Sequence, residues 1–362
     1  MADIVDFAAM ACPLPLIDDE QVLLGHGSGG KMSADLIRRV FLPELGNDVL
    51  NALEDQATLS LGAHLTAVHA DSTSRLAFTT DSFVVKPLFF PGGDIGKLAV
   101  HGTVNDLAVG GAIPLFLSAA FILEEGLSIK TLRRIVASMR QACSDAGVQL
   151  VTGDTKVVDH GNCDKIFITT SGIGVLPAGR NLSIRNAKCG DRILVSGTIG
   201  DHGISIMSVR EGIEFETVLE SDCAPLNDLT RVMLTACPTI RCMRDPTRGG
   251  VSSTLNELAD ASQVGVRIHE AAIPVRREVH AACEMLGLDP LSVANEGKLI
   301  AVVPASDADR LLGIMRSHAL GRDAAIIGEV VDDHPGLVVM RSQIGGERVV
   351  MMINGEQLPR IC

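Results

Sequence analysis

Two α/β domains are what the sequence predicts, and three observations carry that reading. The chain has 362 residues, more than one ordinary core accommodates. Short apolar runs of strand type alternate with longer helical patterns instead of segregating from them. A Pro-Ala-Gly-Arg break at 177–180 separates two such units. The division is an N-terminal extension at 1–21, a first domain at 22–178, a second at 179–335 and a C-terminal tail at 336–362.

The extension contains Pro13 and Pro15, which forbid regular structure. From Gly25 a Gly-rich stretch leads into a helical pattern, with Ser33 as the expected cap before Leu36, Ile37 and Val40. Strand-like runs follow at 76–80, 83–85, 115–121, 149–152 and 165–173, with helical patterns at 95–108 and 128–146. The second unit opens with a strand at 192–196 and continues through a helix at 250–262 and a strand at 299–304. Beyond Pro335 the runs at 337–340 and 349–353 suit a short hairpin, and a terminal arm follows. Extended, the eight residues from Gly355 span about 26 Å.

Composition excludes several functions. A net charge of -13 opposes nucleic-acid binding, where Lys and Arg must neutralise phosphates, and the absence of Trp and Tyr removes the usual stacking platforms. The nine cysteines show no Cys-x-x-Cys, and the acidic start does not resemble a signal peptide. No apolar run approaches the roughly 20 residues of a membrane span. A cytoplasmic protein with free thiols, bound neither to nucleic acid nor to membrane, is the expectation.

The polar strings concentrate in Gly-rich turns. Gly25-His26-Gly27-Ser28-Gly29-Gly30-Lys31 precedes a helix, where backbone N–H groups and the helix N-terminus can hold phosphate, although the spacing is not that of a P-loop. Such a loop is as often a plain linker. Asp81 and Asp154 each lie at a strand end, and Asp106 follows Asn105 inside an otherwise apolar helix. Each alone is an ordinary turn or cap residue, but together Asp81, Asp106 and Asp154 offer the oxygen ligands Mg²⁺ requires beside nucleotide phosphates. Only eight lysines face 23 arginines, yet Lys97, Lys156 and Lys298 all fall within polar motifs. Lysine can change protonation state near neutrality when buried, whereas arginine cannot. In the second unit, Arg248 with two glycines at a helix start suits an anion. Asp201-His202 reads equally as an acid–base pair or a turn, and Glu296 precedes a strand that can aim it into a cleft between the halves.

The sequence ends Pro359-Arg360-Ile361-Cys362. A thiol there can enter a pocket tip first, as a carrier of small reactive groups requires, although chain ends are usually silent. The adjacent carboxylate should raise its pKa above about 8.5, and Arg360 opposes that.

Taken together, His26–Gly30, Thr80–Ser82, Phe89–Gly93, Asn105-Asp106, Thr152–Lys156, Gly200–Gly203, Asp245–Gly250, Asn295–Lys298 and the last four residues resemble the hydrogenase maturation factor HypE family. That family belongs to the superfamily of aminoimidazole ribonucleotide synthetase and selenophosphate synthetase, and the resemblance runs from about residue 22 to the end. It implies an aminoimidazole ribonucleotide synthetase-like α/β fold of two domains, the N-terminal ones pairing in a homodimer as a shared β-barrel, with a flexible tail. It also implies a reaction in which a HypF-type carbamoyltransferase loads Cys362 with a carbamoyl group. ATP and Mg²⁺ drive dehydration of the thiocarboxamide to a thiocyanate, and cyanide passes to iron on a HypC–HypD complex, for [NiFe]-hydrogenase.

On that resemblance Asp81, Asp106 and Asp154 hold metal and phosphate, with Lys97, Asn105 and the loop Gly27, Ser28, Gly29 and Gly30. Lys156 and Glu296 are candidate bases near the carbamoyl nitrogen, and Asp245 and Arg248 steer the arm or its cargo. Two other readings stand beside it. A selenophosphate or purine-precursor synthetase needs no terminal cysteine, and the Gly-rich loop here holds Ser28 with no cysteine nearer than Cys12. A non-catalytic scaffold presenting Cys362 would not need the internal Asp and Lys strings.

Overall fold

The computed structural model describes residues 20–28, 30–53, 57, 59, 62, 66, 74–212, 219–352 and 361–362. Gly29, Arg360 and nearly all of the expected extension lie outside them.

The first domain is a four-stranded sheet covered on one face by helices. Its strands are β1 (Arg75–Phe83), β4 (Ile113–Glu124), β5 (Gln149–Val158) and β6 (Ile166–Leu176), in the order β1-β6-β4-β5. β6 runs antiparallel to β1 and to β4, while β4 and β5 are parallel. A two-residue ladder, β2 (Phe89–Phe90) with β3 (Gly93–Asp94), leads into the central helix.

Among the helical pieces before the sheet are α1 (Gly30–Leu36), a π-turn at Ile37–Phe41 and α2 (Leu42–Leu45). Ser33 lies inside α1 instead of capping it, and its hydroxyl donates to the His26 carbonyl at 2.8 Å. α3 (Ile95–Val109) is mostly apolar with no single apolar face and is buried nearly throughout, although it carries Lys97, His101, Asn105 and Asp106. Asp94 caps it, accepting from the Gly96 and Lys97 N–H groups at 2.8 and 3.1 Å. α4 (Ile129–Ala146) is amphipathic, burying Leu132, Ile135, Val136, Met139 and Cys143, and it stops at Gly147 in the left-handed region. Among the described residues the opposite face of the sheet carries no helix, and Leu76 and Phe78 of β1 are 63% and 71% exposed.

The second domain is a seven-stranded sheet with helices. Its strands are β7 (Arg192–Val195), β8 (Cys242–Arg244), β9 (Gly265–His269), β10 (Ile300–Val303), β11 (Ala325–Val331), β12 (Val338–Arg341) and β13 (Glu347–Val350). Their order is β13-β12-β9-β11-β7-β10-β8, antiparallel except where β12 meets β9. The helices are α5 (Asp201–Glu211), α6 (Asn227–Ala236), α7 (Gly250–Ser262), α8 (Arg277–Leu286) and α9 (Ala305–Ser317). The hairpin expected after Pro335 forms as β12 and β13, and pairing with β9 makes it part of this sheet. Sheet structure thus reaches Val350, whereas the sequence division placed the tail's start at 336.

The domains meet along α3. Asn105, 1% exposed, donates to the Ala224 and Glu296 carbonyls at 3.1 Å each and accepts from the Leu226 N–H at 2.7 Å. One side chain of the first domain therefore fixes two loops of the second.

Candidate functional site

Along this seam lies a cleft of about 550 Å³, lined by Asp81, Asp106, Arg244, Asp245, Arg248, Glu296 and Cys362 among others. β1 supplies Asp81, and α3 supplies Asp106 one turn beyond Gly102. A side chain at Gly102 would meet the Phe83 ring at 2.8 Å, so this glycine lets helix and strand approach. Asp106 accepts the Thr79 hydroxyl at 2.8 Å. Burial raises its pKa, Asp81 adds to the rise, and the Thr79 bond opposes it. Burial and then Asp106 push Asp245 up to about 7. Arg248, which is exposed, reaches Asp81 at 4.0 Å.

Glu296 stands where the loop from the second domain turns inward. It is 3% exposed, and its Oε1 has no hydrogen-bond partner among the described residues. Its pKa is raised well above the usual carboxylate range by burial and by Asp222, Asp245 and Asp81, with Arg248 opposing. Its backbone is held on both sides, N–H to Asp222 at 3.1 Å and carbonyl to Asn105. Asn105, expected among the ligand contacts, here spends its bonding capacity on backbone.

The chain end is docked in this cleft. Ile361 is 4% exposed within the first-domain core, and the Val84 N–H donates to the Cys362 backbone oxygen at 3.2 Å. Burial pushes the Cys362 thiol up to about 12, Glu296 and Asp81 add to that, and Arg248 opposes. The thiol is thus protonated at neutral pH when docked. The sequence anticipated a raised thiol but assigned it to the terminal carboxylate, whereas desolvation comes first here.

The remaining expected residues gather elsewhere. Gly27, Asp154 and Lys156 line a second cavity of about 350 Å³ beside β5, the opposite edge of the sheet from β1. Gly27 passes so close to β5 that a Cβ there would fall 2.2 Å from the Val157 nitrogen. Lys156 pairs with Asp154 at 3.3 Å, both side chains about two-thirds exposed. Ser28 donates to the Gly25 carbonyl at 3.1 Å and Lys97 to the Gly92 carbonyl at 2.9 Å. Gly30 begins α1, and Gly29 lies outside the described residues. Within one chain, therefore, Asp154 does not join Asp81 and Asp106, nor does Lys156 join Glu296. Among the described residues no three His, Cys, Asp or Glu side chains gather closely enough to hold a metal ion.

Models of the AIR synthase related protein match both halves, the N-terminal domain over residues 54–176 and the C-terminal domain over 188–340. Carbamoyl dehydratase HypE of Azotobacter vinelandii is 56% identical over 337 residues, covering 93% of this chain and 96% of that protein. The chain belongs to the HypE family. HypE of Escherichia coli is 47% identical over 341 residues, covering 94% of this chain and 99% of that protein. A crystal structure of the hydrogenase maturation protein HypE in complex with ATP superposes with a TM-score of 0.88 at 48% identity, covering 94% of this chain and 99% of that one. A HypE–HypF complex gives a TM-score of 0.75 at 51% identity, over 88% and 99% of the two chains. The two-domain fold expected from the sequence is that of the HypE structures.

Sequence reading missed part of what surrounds the HypE-family cleft. Asp222, in an irregular loop, holds the Glu296 backbone and lies 3.6 Å from Lys298. Its sequence offers no signal, since Asp222 sits two residues from Glu220 in an acidic stretch before α6. Asp201 and His202 are not an acid–base pair. Asp201 accepts from the Thr198 hydroxyl at 2.5 Å and lies 3.4 Å from Arg276, while His202 turns toward the chain end.

Proposed function

We propose that this chain is an ATP-dependent carbamoyl dehydratase that converts a thiocarboxamide on Cys362 into a thiocyanate. The observation that carries the reading is the docking of Cys362 in the same cleft as the buried Glu296 carboxyl and the Asp81, Asp106 and Asp245 group. In the reaction the carbamoyl oxygen attacks the γ-phosphorus of ATP, ADP departs and one N–H proton is lost. The C–O bond then breaks, phosphate leaves, and loss of the second N–H proton completes the C≡N bond. Both protons come from one nitrogen, so a base must stand beside it. Glu296 fills that role by position. Its charge state responds to nearby cations, since Arg248 already pulls it toward the carboxylate. Arg248 and Arg244 face the cleft where transferred phosphate would lie.

The negative charge of Asp81 raises the pKa of both Asp106 and Asp245, and carboxylates crowded in this way fit a cation-binding role. Mg²⁺ would be held with the nucleotide by Asp81 and Asp106, with Asp154 from a second copy, and would supply positive charge against the phosphates. The second copy enters because two chains pair as a homodimer in this reading. Its support is the uncovered face carrying Leu76 and Phe78, whose area a second sheet would bury. Closing two four-stranded sheets into one barrel joins their edge strands. The Gly27–Asp154–Lys156 cluster of one chain is then offered to the cleft of the other.

The carbamoyl donor in this reading is a HypF-type carbamoyltransferase, in line with the HypE–HypF complex of a relative. The acceptor is a HypC–HypD complex serving [NiFe]-hydrogenase. We place the reaction in the cytoplasm, where free thiols persist; no described helix is long and apolar enough to cross a membrane.

Intact mass of the carbamoylated chain tests the proposal. Loss of one water mass that needs both ATP and Cys362 is the expected result. Cargo that stays unchanged with ATP, or changes equally without it, leaves a scaffold rather than an enzyme.

A further inference from the structure

His202 is fully buried at the start of α5, with its ring edge-on to Phe90 at 5.5 Å between centroids. Its Nε2 lies 2.9 Å from the Ile361 carbonyl oxygen, and its Nδ1 lies 2.8 Å from the Ser221 hydroxyl. A carbonyl can only accept, so Nε2 carries the proton. In the neutral ring Nδ1 is then an acceptor, and the Ser221 hydroxyl must be its donor. Burial lowers the pKa of His202, which keeps the ring neutral. Ser221 is itself oriented, because its oxygen accepts the Cys223 N–H at 3.1 Å. The chain of donors therefore runs one way, from Cys223 N–H through Ser221 and His202 to the Ile361 carbonyl.

The packing behind this relay is tight. Gly92, in the left-handed region at φ +87°, passes Ser221 so closely that a Cβ would lie 2.8 Å from its backbone N and O. The Ser221 N–H is bonded to the Pro91 carbonyl at 2.8 Å. The relay is thus pinned between the two domains at the seam where the cleft opens. Without the chain end, a buried Nε2–H would lose its acceptor.

We infer that His202 is a positioning residue: by donating from Nε2 to the Ile361 carbonyl, in the tautomer set by Ser221, it seats the chain end so that Cys362 stands against Glu296. The inference rests on the dehydratase reading. It adds a recognition element directed at backbone, one residue away from the sulfur that carries the cargo. His202 is not among the residues that line the cleft, so its effect falls on the seating of the tail.

The test uses the full chain with His202→Ala, His202→Gln and Ser221→Ala. Two readouts apply, the rate at which a thiol reagent labels Cys362, and single-turnover dehydration of preloaded chain across ATP concentrations. His202→Ala should label at least 10-fold faster and dehydrate about 10- to 100-fold slower, with the ATP concentration for half-maximal rate unchanged. His202→Gln, whose amide N–H can still reach a carbonyl, should recover most of both, and Ser221→Ala should fall between. Unchanged labelling and unchanged turnover in His202→Ala would overturn the inference, as would a shift confined to ATP dependence. Should variants fail to fold, ¹⁵N spectra of wild-type histidines carry the test. They should show the neutral Nε2–H form for His202, and a ring that is instead Nδ1–H or charged sinks the inference. Failure of wild-type chain to lose water with ATP would count against the dehydratase reading alone, since labelling still reports the seat.

Discussion

Asp81 lies near the end of β1 and Asp154 in the middle of β5 instead of at the strand end expected, yet each takes the next residue's N–H on its own carboxylate, at 2.7 and 2.8 Å. Their settings diverge from there. Asp81 faces a cleft where Asp106 and Asp245 are pushed toward the neutral acid and Glu296 has an unpartnered oxygen. Asp154 stands in solvent, neutralised by Lys156. A carboxylate in solvent with a lysine partner is worth little to stability, about 0–1 kcal/mol. Crowded carboxylates at a desolvated seam store repulsion that only a cation or a proton relieves. The cleft is thus poised for charged ligands in one chain, whereas the edge cluster lacks anything to act on until another surface meets it.

Substitution at Glu296 should give the largest effect. Glu296→Gln keeps the shape and removes the base, so dehydration of preloaded Cys362 should slow by about 10³-fold while the fold melts normally. A loss under about 10-fold would move the base elsewhere, Lys156 being the next candidate.

Mixing experiments decide whether cleft and edge cluster cooperate across copies. Asp81→Asn and Asp154→Asn chains should each lose about 10²-fold in turnover. Exchanged into mixed dimers, they should regain a substantial share of wild-type rate, because one of the two shared sites is then intact. No recovery in demonstrably mixed dimers would confine each cluster to its own chain.

Asn105→Ala removes the side-chain partner of three backbone groups, two of them buried. Unfolding free energy should drop by about 3 kcal/mol, read by denaturant titration, with dehydration falling as the Glu296 loop loosens. A loss of turnover at unchanged stability would instead put Asn105 on the ligand.

Asp245→Asn should give the smallest effect, and one that depends on pH. The folded pKa of Asp245 lies near 7, above the unfolded value of 3.8. Its contribution is then complete below about pH 4 and is lost as pH rises through 7. Replacing it should therefore stabilise the chain more at pH 8 than at pH 5, by about 1 kcal/mol after allowing for its partial exposure. An equal change at both pH values would mean that Asp245 is ionised throughout.

Much of this was legible in the chain itself. The helix expected at 95–108 forms at Ile95–Val109 and that at 128–146 at Ile129–Ala146, because apolar content, an Asp cap and a stop glycine all agree. The motif strings pointed to Asp81, Asp106, Asp245, Arg248, Glu296 and Cys362, which one cleft brings together. What local pattern does not encode is strand order. Asp81 and Asp154 look alike in sequence, and only the order β1-β6-β4-β5 sets them on opposite edges. His202 was equally out of reach, since its bond to Ile361 spans 159 positions and depends on a loop serine of no evident pattern. Asn105 was noticed, but not that its partners would be backbone.

The pairing of β12 with β9 has a consequence for the cargo. It anchors the hairpin through Val350, eleven positions before Ile361. Because Cys362 is joined covalently to that anchor, its encounter with the cleft is an intramolecular event that does not depend on protein concentration. The carried thiol is therefore never a diffusing substrate.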